Sequence, residues 1–462
     1  MNSNGADKMG TMPVNKLLIS MSLPMMISML IQALYNVVDS IFVAKLSEDA
    51  LTAVSMAFSM QTLMFASAGG IGVGLNALLS RSLGEKNREL ASKSAVNGLF
   101  LGLIAYVIFV IIGILFIKPF YLFQTNDPSS PITKYGMEYL YCIMLCSFGL
   151  YGQVLFERLL ISTGLTFYSM ITQSVGAIVN IILDPILIFG WLGMPKMGVL
   201  GAAVATVIGQ CTAAVLALVF NITKNKDISL SIRKFRPDSA VIRAILSVGI
   251  PSMIMQAIGS VMTFTFNKLL IWFSSTAVAV FGIYFKINSI IFMPVFGLNN
   301  GMVPIVAYNL GAKNRKRMMK TVKYSIIYAV SLMLIGLLLI EIFPAQILML
   351  FSASENMLSI GIPALRIICL SFMFAGCSIV LLSLFQAMGH GVYSMMISLI
   401  RQLLVLLPSA FILALIGKSM GNDVSYIWWS FNIAEIVSVV TSLLLFKRLY
   451  KNTISKIPAG DE

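Results

Sequence analysis

Apolar runs of 18 or more residues recur from one end of this chain to the other, broken only by short polar stretches. Each can cross a hydrocarbon layer roughly 30 Å thick, and a window reading places about 12 of them. They begin near Lys16, Leu51, Ser94, Lys134, Leu165, Val199, Ala240, Ala277, Met319, Met357, Val392 and Val424. The pattern dictates an all-α polytopic membrane protein. Composition agrees: of 462 residues 58% are hydrophobic and 11% charged, with a mean hydropathy of +0.92. That leaves too little polar surface for a soluble globule. The first apolar run reads as a full span rather than a cleavable leader. Cys142, Cys146, Cys211, Cys369 and Cys377 fall inside spans, with no disulfide or metal spacing.

The net charge of +14 is a matter of topology. With the N-terminus inside, the inside set is Lys8, Lys16, Arg81, Lys86, Arg88, Lys93, Arg158, Lys224, Lys226, Arg233, Lys234, Arg236, Arg243, the cluster Lys313 to Lys323, and Lys447, Arg448, Lys451 and Lys456. Lys45, Lys118, Lys134, Lys196 and Lys418 make up the outside set. This bias predicts a multi-pass protein of the plasma (inner) membrane with both termini cytoplasmic, no nucleic-acid partner, and lipid as its surroundings.

The chain repeats itself. Shifted by 227 residues, Gly70, Gly74, Leu83, Gly84, Lys86 and Asn87 fall on Gly297, Gly301, Leu310, Gly311, Lys313 and Asn314, and Pro24 falls on Pro251. A shift of 225 places "TGLTFYSM" (Thr163 to Met170) on "MGHGVYSM" (Met388 to Met395). Six spans per half make the repeats parallel, related by an axis along the membrane normal. The expected organisation is an N-lobe over 1–222, a basic cytoplasmic linker over 223–240, a C-lobe over 241–450 and a tail over 451–462. Two such bundles around a central cleft suit alternating access.

Polar groups inside spans are costly and point to function. Asp39, in "LYNVVDSIFV", sits about 9 Å from the outer end of the first span at 1.5 Å per residue. Asp184 in the fifth span and Thr206 in the sixth fall at a similar depth. Asn180 and Asp184, four apart, share a helix face, and Pro185 leaves the carbonyl of Ile181 without its usual N–H. These hard oxygen ligands suit a proton or Na⁺, and two close carboxylates in low dielectric would not both ionise readily. Asp39, Asn180, Asp184 and Thr206 are therefore the expected coupling-cation site. Pro24 and Pro185 are the expected hinges. In the second half Phe266 stands opposite Asp39. That half carries Lys268, Lys286, Arg366 and Arg401 in its spans, and Glu435 is its deepest acid, expected to pair with one of them.

"LPMMISMLIQALYNVVDSIFVAKL", "GIGVGLNALLSRSLGEKN", "NIILDPILIFG" with "MGVLGAAVATVIGQ", and "LIRQLLVLLP" together resemble the multidrug and toxic compound extrusion (MATE) family over nearly the whole chain. The resemblance implies twelve helices in two lobes and antiport of cationic, lipophilic organic compounds against Na⁺ or H⁺, by a monomer without a cofactor. It assigns Asp39, Asn180, Asp184 and Thr206 to the N-lobe cation site and Pro24 to the bending proline. Some relatives carry acids in helices seven and ten; here those helices offer Gln256 and no acid. Gln256, Glu435 and Arg401 are the C-lobe candidates for substrate contact or ion pairing. A flippase for a lipid-linked sugar precursor would instead need a basic cavity built on Lys268, Lys286, Arg366 and Arg401. An intramembrane enzyme would need a catalytic cluster, and the one histidine, His390, falls in a Gly-flanked turn.

Overall fold

The computed structural model describes residues 5–125, 127–231, 235–351 and 353–460; Arg233 and Lys234 of the basic linker lie outside them. Among the described residues the chain is helical with no strand. A short α1 (Gly5–Thr11) precedes α2 (Val14–Ala44), α3 (Glu48–Gly84), α4 (Arg88–Thr125), α5 (Pro131–Leu145), α6 (Phe148–Ser162), α7 (Thr166–Phe189) and α8 (Val199–Thr223). The second half holds α9 (Ser239–Leu270), α10 (Ser275–Gly311), α11 (Arg315–Ile342), α12 (Pro344–Met349), α13 (Glu355–Cys369), α14 (Phe372–Ala387), α15 (Gly391–Leu399), a π-helical stretch (Ile400–Leu406), α16 (Leu407–Ser419) and α17 (Ser425–Asn452).

Ten helical segments are long and apolar enough to cross a membrane, and two bent pairs bring the number to twelve. Each of those two spans is broken: α5 meets α6 at 46° and α13 meets α14 at 50°. No proline causes them. At each break a buried serine turns its hydroxyl back on its own helix, Ser147 donating to the carbonyl of Met144 (2.8 Å) and Ser371 to that of Ile368 (2.7 Å). Such back-bonding competes with the i→i−4 ladder and bends a helix.

The repeated sequence letters have repeated jobs. Ser47 caps α3 by accepting from the Ala50 N–H, and Ser274 caps α10 by accepting from the Ala277 N–H, both at 3.1 Å. Asn87 and Asn314 do the same for α4 and α11, accepting from Leu90 N–H (2.9 Å) and Arg317 N–H (3.0 Å). Lys86 and Lys313, just before these asparagines, hold the left-handed backbone (φ 57° and 55°) that turns the chain between helices.

The repeated glycines mark where the halves meet. Gly70 and Gly74 of α3 lie against the backbone of α9 at Gly249 and Ile245, and Gly297 and Gly301 of α10 lie against α2 at Met26 and Ser22. Nearest the chain termini, α3 and α10 cross each other: Gly84 abuts the Tyr308 carbonyl and Gly311 the Arg81 carbonyl. Any side chain there would strike backbone. The halves are thus packed tightly at the end of the bundle that carries both described termini.

Polar contacts tighten that end. Asp227, buried between α8 and α9, accepts from the Ala6 N–H (2.9 Å) and faces the Arg88 guanidinium (3.6 Å). Arg317 donates to the carbonyls of Met9 (3.2 Å) and Met12 (2.7 Å), so α1 is tied to both halves. The segment after α8 is also anchored, with the Ser229 N–H on Ser92 Oγ (3.0 Å) and the Asp238 N–H on Asn97 Oδ1 (3.0 Å).

Candidate functional site: a cavity in the first half

A cavity of about 720 Å³ opens among α2, α3, α5, α6, α7 and α8. It runs from Ser40, Leu51 and Ser55, close to the α2–α3 turn, down to Gly69, Arg158 and Asn300. Among the described residues, only Gln256 of α9 and Asn300 of α10 reach it from the second half. Met25, Met29, Met64, Phe58 and Phe65 give it an adaptable apolar wall.

Asp39, Asn180 and Thr206 line this cavity, and Asp184 sits directly behind them, 0% exposed. Asn180 donates to Thr206 Oγ1 (3.3 Å), joining α7 to α8. The Asp39 and Asp184 carboxyls lie close to each other, with the Tyr35 and Tyr139 hydroxyls in their neighbourhood. The structure therefore brings together all four residues singled out from the sequence. Asp39 Oδ1, Asn180 Oδ1 and both Asp184 oxygens are buried without a hydrogen-bond partner among the described residues. Leaving such atoms unpaired costs about 1–3 kcal/mol each, and more where they are charged. Four hard oxygens with two carboxylates fit a proton or a small monovalent cation. No cluster of three or more His, Cys, Asp or Glu ligands accompanies them among the described residues.

Pro24 and Pro185 lie inside α2 and α7, each of which continues through its proline. The Gln173 side chain donates to Gln32 Oε1 (3.1 Å), tying these two helices together.

Three groups escaped the sequence reading. Tyr35, one turn before Asp39, was within reach of helix periodicity. Tyr139, whose hydroxyl accepts from Gln61 Nε2 (3.1 Å), comes from α5 and needed the fold to be found. Arg158 is the third, beside Glu157, which the sequence already places as an acid within a span. The Glu157 carboxylate accepts from Gln153 (3.2 Å) and Thr172 (3.1 Å), while Arg158 Nη1 donates across the halves to Asn300 Oδ1 (2.9 Å). Arg158 thus departs from its expected place among the inside charges: it lies within α6 and lines the cavity floor.

The second half handles its polar groups differently. Arg401 pairs with Glu435 at 2.8 Å and Arg366 with Glu341 at 3.6 Å. Lys268 lies over the Phe264 ring (5.7 Å) and Lys286 over Phe351 (5.8 Å). None of these four cations lines the cavity. Phe266, opposite Asp39 in the repeat, is fully buried against Phe281 (4.6 Å), Phe431 (5.1 Å) and Trp428 (6.2 Å). His390 stacks on Tyr393 before α15 (5.4 Å), away from the cavity.

Comparison with known proteins agrees with this architecture. The MatE family model matches twice, over residues 24–186 and 251–412, beginning at the two repeated prolines. The chain is 27% identical to a multidrug export protein, MepA, of Staphylococcus haemolyticus, over 93% of this chain and 92% of that one. It is 26% identical to an FAD transporter of Shewanella oneidensis, over 86% of this chain and 88% of that one. Among solved structures, the outward-facing conformation of a multidrug resistance MATE family transporter of the MOP superfamily superposes with a TM-score of 0.91 at 25% identity, covering 99% of this chain and all of that one. These relatives are transporters rather than enzymes, and the chain belongs to the MatE family of multi-pass membrane efflux transporters.

Proposed function

We propose that this transporter is a cation-coupled antiporter whose coupling site is wholly in the first half. The observation that carries the reading is the set of unpartnered buried oxygens on Asp39, Asn180 and Asp184, beside Thr206, in the wall of the large cavity. A Na⁺ or H⁺ entering there satisfies them and neutralises charge. An organic cation in the same cavity is attracted by the same carboxylates. Ion and cargo then exclude each other electrostatically, and each favours a different arrangement of the halves, which is the minimum coupling for antiport. Pro24 and Pro185 supply the compliance, since each removes one backbone hydrogen bond from a helix carrying a site acid.

Orientation follows from charge. The tightly packed end carries Arg81 to Lys93, Lys313 to Lys323 and both described termini, so the positive-inside rule makes it cytoplasmic in the plasma (inner) membrane. The cavity then faces outward in this state. The protein works as a monomer with lipid around it, and needs no cofactor beyond the coupling ion.

The relatives' named cargoes, drugs in one case and FAD in another, differ, so the cavity's own chemistry has to suggest the substrate. Its acids and pliable methionine and phenylalanine wall favour cationic, lipophilic organic compounds, with Gln256 as a contact from the second half. A flippase for a pyrophosphate-linked lipid finds little support, because the four intramembrane cations of the second half are paired or ring-covered away from the cavity. The test is ethidium efflux from proteoliposomes driven separately by an imposed Na⁺ gradient and an imposed pH gradient. Stimulation by one of them is expected and names the ion; stimulation by neither refutes coupling.

A further inference from the structure

Arg158 is an anomaly on the cavity floor. It lies within a spanning pair of helices and is the one cationic side chain among the lining residues. No carboxylate stands within ion-pair distance of it among the described residues. Its neighbour Glu157, buried in the same cavity wall, lies near enough to act on it electrostatically but makes no ion-pair contact, and one of its carboxylate oxygens is engaged by Gln153 and Thr172. A single neutral amide, Asn300, takes one of its N–H groups. Gly72 leaves room for its stem, which lies along that glycine. The other intramembrane arginines, Arg366 and Arg401, each have a carboxylate. An intramembrane guanidinium without a counter-anion is expensive to keep.

A planar guanidinium fork is suited to carboxylate and phosphate oxygens, which it can take two at a time. No anion is in direct contact with the fork among the described residues, and part of the cargo fits that place. We propose that Arg158 is a specificity-determining residue that binds an oxyanion on the transported molecule, while the apolar wall takes its body. The inference rests on the transport reading above and narrows it. Cargoes bearing both a cationic centre and a carboxylate or phosphate are preferred over purely cationic ones. Asn300 holds the fork toward the cavity from the second half, so the anion is read only while the halves are in this arrangement.

The competing explanation is that Arg158 serves only to join the halves through Asn300. The two make different demands on a ratio. Full-length protein in proteoliposomes is loaded with norfloxacin, which carries a carboxylate, or with its ethyl ester, which does not, and export of the two is compared in wild type, Arg158→Gln and Arg158→Lys. A second pair, thiamine monophosphate against thiamine, both carrying a thiazolium cation, tells a phosphate reader from a carboxylate reader. The acid-to-ester ratio, or the phosphate-to-alcohol ratio, is expected to fall about tenfold in Arg158→Gln, the loss of one charge-assisted contact, and to recover partly in Arg158→Lys. Equal loss of both members of each pair means a purely structural role and overturns the proposal, as does an unchanged ratio. Should wild type export none of the four compounds, the transport reading fails for them. The same ratios are then read as equilibrium binding to detergent-purified protein, where a ratio insensitive to Arg158→Gln overturns the inference independently.

Discussion

The two halves share a backbone plan and oppose each other in electrostatics. The first half leaves its intramembrane groups open: Asp39 and Asp184 have unpartnered oxygens, and Arg158 has no carboxylate. The second half pairs its acids with arginines, although Arg401 Nε, Glu435 Oε2 and Trp428 Nε1 are also buried without a hydrogen-bond partner among the described residues. Arg401 holds Glu435, Arg366 holds Glu341, and the place matching Asp39 is an aromatic ring packed among Phe281, Trp428 and Phe431. Duplication supplied two scaffolds with the same caps, turns and glycine crossings. One keeps two carboxylates without cationic partners at the cavity, and the other pairs its acids with arginines around an aromatic core. The glycine crossings link the two.

The sharpest way to break this contrast is to put the acid where the aromatic core is. Phe266→Asp buries a carboxylate among the rings of Phe281, Trp428 and Phe431, at a cost of several kcal/mol, enough to lose the folded protein. Its signature is absent or aggregated protein on detergent gel filtration. Removing half of a closed pair comes next. Glu435→Ala leaves Arg401 uncompensated and is expected to cost about 3–5 kcal/mol, read as a lowered midpoint in detergent thermal unfolding. Ion-stimulated efflux per folded molecule should survive, because the pair is remote from the cavity. Gly311→Leu drives a side chain into the Arg81 backbone at the crossing, and overpacking of this kind costs about 1–3 kcal/mol or forces the halves apart. Cysteine cross-linking between α3 and α10 near Gly84 and Tyr308 should weaken accordingly.

The smallest effect concerns the buried acid at the packed end. Burial pushes the Asp227 carboxyl upward, the Ala6 N–H and the Arg88 guanidinium pull it back, and Asp7 adds to the rise. Because the net shift is upward, the folded protein favours protonated Asp227 more than the unfolded chain does. That contribution is present below the ordinary carboxylate range and is lost as pH rises through the raised value. Acidifying from neutrality should therefore recover a little stability in wild type. Asp227→Asn, which keeps an oxygen for the Ala6 N–H, should lose that pH dependence of the unfolding midpoint.

Much of this contrast was written in the order of residues. The 227-residue shift aligned Gly84 with Gly311 and Lys86–Asn87 with Lys313–Asn314, and these are a crossing, a turn and a cap in the fold. Asn180 and Asp184 were legible as one helix face, and their depth matched that of Asp39. What stayed hidden depended on geometry between helices. The serine bends at Ser147 and Ser371 were invisible because serine is tolerated within helices and its back-bonding has no sequence period. Arg158 counted as an inside charge, since hydropathy reports how deep a residue lies and not whether it faces lipid, loop or cavity. The α5–α6 bend aims α6 in a direction that residue counting does not give. Tyr139 and Gln61 joined the site through packing of α5 on α3, which no local pattern encodes.

The central claim is that only the first half reads the coupling ion, and one measurement addresses it directly. Ethidium transport is followed in proteoliposomes of wild type, Asp39→Asn and Asp184→Asn, once with an imposed cation gradient and once as gradient-free exchange. The account expects gradient stimulation to collapse in both variants, on the order of a hundredfold for coupling of this kind. Exchange should persist at a measurable rate, because the cavity and the alternating scaffold remain. Undiminished gradient stimulation in both variants would contradict the account and move the coupling site out of the first half.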